Sequence, residues 1–222
     1  MNNLPFDPYD FFGYIASGLV VIAGMQLVLG YPIVIGADLK PFNIAVLVLA
    51  VYVAGQIAAG PAKALLEDVV IDKVLKRPTE NLFRSSPSFL FGIFFPGYYK
   101  PLPPGVQERV LGALQSDLGK VPEGEDRFLA VRYSKKVLSD ERLLKKIDSF
   151  RDKYGFNCNI AFTALVTSTA LLVKGYMFGT SELIHYGWIG LVSGILLFYR
   201  YLKFFRQYSF EMFNCYAGSR EK

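Results

Sequence analysis

Histidine occurs once in these 222 residues and cysteine twice, and the four long apolar stretches contain no acidic residue. Each scarcity excludes a class of chemistry. The one histidine, His185, sits beside Tyr186 and Trp188 at the edge of an apolar stretch, where an amphipathic ring suits a membrane interface better than acid-base work. Cys158 and Cys215 have no metal-ligand spacing and, in a reducing compartment, read as free thiols. No HExxH helix, glycine-rich loop ending in GK[ST] or GxSxG elbow occurs. Absent paired carboxylates at membrane depth weigh against a proton-coupled carrier, and the two halves show no internal match of the kind inverted repeats produce. Glu123, Glu125 and Asp126 cluster without a base or metal partner and read as a solvated turn. The expectation is a protein that is not an enzyme and holds no metal and no cofactor.

Long apolar runs are what the chain has in abundance. They cover Phe11–Leu29, Phe42–Gly60, Ile160–Phe178 and Ile184–Phe198, each near the roughly 20 helical residues that cross a hydrocarbon core. Lys174 falls close to one end of the third, where its stem can reach the headgroups. The predicted fold is an all-α integral membrane protein with four transmembrane helices in two hairpins and a helical cytoplasmic domain between them. The corresponding segments are 1–60, 61–157, 158–199 and a basic-aromatic tail over 200–222. Seventeen of the twenty-four basic residues lie between the pairs, and five more follow the fourth stretch. By the positive-inside rule the middle region and both termini are cytoplasmic. The expected location is a bacterial inner (plasma) membrane. Residues 1–10 carry no Lys or Arg, which argues against a cleaved signal peptide and for retention of the first span.

The middle region reads as helices around one proline-rich turn. Gly60-Pro61 fits a fresh helix or a kinked continuation, and Leu65, Leu66, Val69, Val70 and Val74 predict an amphipathic helix ending before Pro78. Phe89, Phe91, Phe94, Phe95, Tyr98 and Tyr99 alternate with prolines, so Ser85–Pro104 either packs under the helices or lies along the bilayer. Helices are predicted near Pro104–Leu118 and Glu125–Leu138. Ser139 is a candidate N-cap for a single helix through Phe178, about 60 Å long.

Within the spans, Asn159, Thr163, Thr167, Ala170 and Lys174 project within about 80° of one another at 100° per residue. This stripe either packs against neighbouring helices, with hydroxyls bonded to their own backbone, or lines a water-filled path. Gly190 and Gly194 form a GxxxG face that meets either the third span or a second copy. Gly55 and Ala59 are packing candidates on the second span, beside Gln56. After the fourth span, Arg200, Lys203 and Arg206 are candidates for lipid headgroups, while Phe205, Tyr208 and Met212 suit packing on the cytoplasmic helices.

In layout, with paired spans, a helical cytoplasmic region and no catalytic motif, the chain is similar to small membrane effectors of bacterial antiviral systems. That resemblance covers architecture and not sequence. It implies a channel-like homo-oligomer whose cytoplasmic helices receive a signal or partner and whose spans open or perturb the bilayer. A membrane scaffold that recruits a soluble protein is the alternative. Membrane lipids, other copies and a cytoplasmic protein are the expected partners; mixed charge disfavours nucleic acid.

Overall fold

The computed structural model describes residues 8–31, 40–83, 89–134, 137 and 141–218. Among them every element is helical: α1 Pro8–Leu29, α2 Pro41–Ala62, a π-helical stretch Lys63–Leu75, α3 Pro78–Asn81, α4 Phe89–Phe94, α5 Pro104–Leu118, α6 Gly124–Arg132, α7 Glu141–Phe178 and α8 Ser181–Gly218. Four of these helices are long and apolar enough to cross a membrane. The candidate N-cap Ser139 and the chain before Pro8 lie outside the described residues. Helix α6 stops at Arg132, short of the expected Leu138, because the chain turns at Tyr133.

The chain divides into two compact units, one extending to Val70 and resuming over Gly155–Tyr201, the other comprising Ile71–Tyr154 and the chain from Leu202 on.

Close helix approach organises the first unit. A Cβ placed on Gly18 of α1 would overlap the Val51 carbonyl and lie 2.8 Å from the Gly55 amide nitrogen. On Gly55 of α2 it would overlap the Tyr14 carbonyl in turn. Only glycine lets two backbones come this near, and the approach brings main-chain atoms of both helices into van der Waals contact. Ala59 is half-buried one turn further on. Gln56 donates to the Tyr52 hydroxyl at 2.9 Å, so its amide finds a partner on its own helix.

Helices α7 and α8 meet through a longer glycine series. Added Cβ atoms on Gly175, Gly187 and Gly194 would lie 2.7, 2.7 and 2.8 Å from Ile184, Leu172 and Leu165, and one on Gly190 would overlap the Ser168 hydroxyl. Sequence numbers rise along one helix as they fall along the other. The GxxxG face is therefore in contact with the third long helix of the same chain. Gly179, with φ 67°, ends α7, and the Thr180 amide donates to the Gly175 carbonyl at 3.0 Å.

Pro61 removes one backbone donor, yet the chain continues helically instead of starting afresh. It does so in the wider π form, with i→i+5 hydrogen bonds. This shifts the buried face. Of the five apolar residues expected on the inner face, Leu66 is buried and Val70 half-buried, whereas Leu65, Val69 and Val74 are exposed; Ile71 and Leu75 continue the buried face from Leu66 at steps of five and four.

In the second unit, side chains from distant segments cap the end of that π stretch. Lys76 turns with φ 62°, and the freed carbonyls of Leu75 and Lys76 accept from Asn81 Nδ2 at 3.3 and 3.2 Å. Tyr98 adds a hydroxyl to Lys76 at 2.7 Å, and Tyr99 one to Leu75 at 2.9 Å. Arg77 chelates Asp72 through two nitrogens and pairs with Glu125. The Leu102 amide donates to Leu82, and Gln107 to the carbonyls of both. The aromatic-proline segment is thus packed at Tyr98 and Leu102, while Ile93 and Phe94 are exposed. Around it, Phe83, Phe128, Tyr208 and Phe213 meet edge-on, and Tyr154 stacks on Phe205 at 4.9 Å. Burial of Phe205, Tyr208 and Met212 matches the packing reading of the tail.

Candidate functional site

Two members of the α7 stripe, Thr163 and Lys174, make side-chain hydrogen bonds inside their own unit. Thr163 is 1% exposed, and its hydroxyl donates to the carbonyls of Asn159 and Ile160 at 3.0 and 3.1 Å. Ser168 bonds back to Ala164 in the same manner. Such back-bonding satisfies a hydroxyl in an apolar surrounding without water. The Thr167 methyl group occupies the space that the missing side chain of Gly24 leaves on α1.

Lys174 has a capping role. Helix α1 ends at Leu29, followed by Gly30 at φ 80°, whose amide donates to Gln26 at 2.8 Å. The Val28 carbonyl belongs to the last turn, which lacks intrahelical donors. Lys174 Nζ donates to it, placing a cation on the negative end of the α1 dipole.

Between these contacts runs a cleft of about 260 Å³, with Val21, Gly24 and Val28 on one side and Thr163, Thr167 and Ala170 on another. Its walls are almost wholly apolar. Three stripe residues therefore share one surface and Lys174 lies one turn beyond; Asn159 is not on it. A surface of this composition offers an ion no substitute for its hydration shell.

The headgroup candidates divide. Arg206 donates to the Lys100 carbonyl at 2.7 and 3.3 Å and lies over the Phe210 ring, so it ties α8 to the aromatic-proline segment. Lys203 and Arg200 are exposed.

A second cavity, of about 510 Å³, escaped sequence reasoning. It lies in the second unit, lined by Glu80, Phe83, Glu123, Gly124 and Arg127. Arg127 sits 4.3 Å above the Phe83 ring and donates to the Pro122 carbonyl at 3.0 Å. Burial lowers its pKa, and Glu123 opposes that shift. The wall combines carboxylates, a guanidinium and an aromatic face without any nucleophile. That set places both signs of charge beside an aromatic face. Its sequence signal was Glu123 at the turn before α6, which became a wall only when α3 packed beside it.

The chain matches no family model, no curated protein and no solved structure.

Proposed function

We propose that this chain is an integral membrane scaffold, with its four long helices in two membrane hairpins and its second unit in the cytoplasm holding a soluble partner. The observation that carries the reading is the engagement of the α7 stripe. Thr163 is bonded to its own helix, the Thr167 methyl is fitted against Gly24, and Lys174 donates to the Val28 carbonyl of α1, which supports packing between helices over an aqueous axis. The positive-inside distribution of Lys and Arg supports the orientation, with the middle region and the tail inside. The cavity around Arg127, Glu80 and Glu123 is the candidate contact for the partner.

A channel-like effector is the second reading, and one observation favours it. Helices α7 and α8, 38 residues each, run unbroken from one unit into the other, so an event in the cytoplasm has a continuous helical connection to the spans. Ion flux into liposomes bearing purified protein separates the two. The scaffold gives no flux above empty vesicles, alone or with a cytoplasmic partner added. Flux that depends on Thr163 or Thr167 would establish the effector instead.

A further inference from the structure

The apolar cleft of the first unit has a shape and a charge that together define a ligand. Gly24, Ala58 and Ala170 leave the concavity, and the larger Val21, Met25 and Val166 stand around it. At about 260 Å³ it is smaller than the ~300–1,000 Å³ pockets that take whole small molecules, and it suits one segment of hydrocarbon chain. The lining is almost wholly apolar and the Thr163 hydroxyl is already spent on its own backbone, so the cleft holds few polar partners for ordered water.

The charge stands at one end. Lys174 follows Ala170 by four residues, on the same helical face, and its ammonium has three donors, of which the Val28 carbonyl takes one. No carboxylate pairs with it among the described residues. Phe178 ends the helix four residues later, so the cation stands near the end of a candidate span, at headgroup depth if the helix crosses.

We infer that this cleft is a binding site for one anionic phospholipid, its acyl chain lying along Ala170, Thr167 and Thr163 and its phosphate on Lys174. The site rests on the reading of these helices as membrane spans. From Ala170 to Thr163 the groove runs about 10 Å along the helix, and the lysine supplies the electrostatic part of the recognition.

Native mass spectrometry of the full chain in detergent, with phosphatidylglycerol and phosphatidylcholine of matched acyl chains added together, tests it. The wild-type chain should retain one phosphatidylglycerol with about fivefold preference, the ratio that ~1 kcal/mol per cation gives. Lys174→Gln keeps a donor for Val28 and loses the charge, so both lipids should bind equally. Ala170→Leu and, independently, Val166→Phe fill the cleft and should lose both lipids. Retained preference in Lys174→Gln, or retained lipid in a folded cleft-filling variant, overturns the site, as does a wild-type chain that binds neither lipid selectively or takes up a second copy there. Alkaline carbonate extraction from membranes reads the underlying assumption separately: a chain released by carbonate overturns the membrane reading and the site with it, whereas an integral chain without lipid preference overturns the site alone.

Discussion

Gly18 and Gly55 press two helix backbones together so closely that neither position has room for a methyl group. A Cβ at either site meets main-chain atoms, which cannot rotate aside as a side chain can. Gly18→Ala and Gly55→Ala should therefore each destabilise the fold by about 1–3 kcal/mol, the usual cost of overpacking. Gly60→Ala, with open space around it, should leave the melting temperature unchanged or raise it through helix propensity. Thermal unfolding in detergent, followed by circular dichroism, compares the three; equal melting temperatures would contradict a backbone-to-backbone crossing of α1 and α2.

Coupling is expected between Gly190 and Ser168. Alanine at position 190 would collide with the Ser168 hydroxyl, whereas the Ser168 Cβ lies at 3.4 Å, ordinary contact distance. Gly190→Ala alone should destabilise, and Ser168→Ala added to it should restore much of the loss. A double-mutant cycle on unfolding should return an interaction energy of roughly 0.5–3 kcal/mol, while additive effects would place Gly190 on a lipid-facing or intermolecular surface.

Much of this packing was legible in the sequence, and the reason is chemical. Small residues at four-residue steps leave a permissive helix face wherever they occur, so Gly190 and Gly194 announced themselves. What one sequence could not say is which helix they meet; the structure places α7 of the same chain there. Gly18 went unnoticed because Tyr14 and Ile22, four residues to either side, are large, so no small-residue step marks it as Ala59 marks Gly55. Likewise the period of 3.6 placed Leu65, Val69 and Val74 on the inner face with Leu66 and Val70, and only Leu66 is buried there, since nothing local announces a π-helix. The capping of Leu75 and Lys76 by Tyr98 and Tyr99 spans more than twenty residues. Composition alone left those tyrosines undecided between packing and a bilayer surface.

Tyr98 should also leave a mark on the pH dependence of stability. Its phenol is pushed well above its ordinary value of 10.0, first by burial and then by the neighbouring Tyr99 and Asp72, with Arg77 opposing. A raised pKa in the folded state means that the stabilisation is complete below the unfolded value and is lost as pH rises toward the folded one. Denaturant unfolding should thus weaken above about pH 10. Tyr98→Phe should flatten that decline and cost about 0.5–1.5 kcal/mol at neutral pH by deleting the bond to Lys76. An identical alkaline decline in the variant would remove Tyr98 as its source.

The central claim is that the polar face of α7 packs within the chain and lines no aqueous path, and the water accessibility of position 167 tests it most directly. Thr167→Cys, with Cys158 and Cys215 replaced by alanine, would be exposed in native membranes to a charged, membrane-impermeant thiol reagent from each side. Thr180→Cys, at an exposed position between α7 and α8, serves as the reactive control. Labelling at 180 with none at 167 is the predicted result, because Gly24 and an apolar cleft surround that site. Rapid labelling at 167 would mean that water reaches mid-helix, and the scaffold reading would give way to a conducting one.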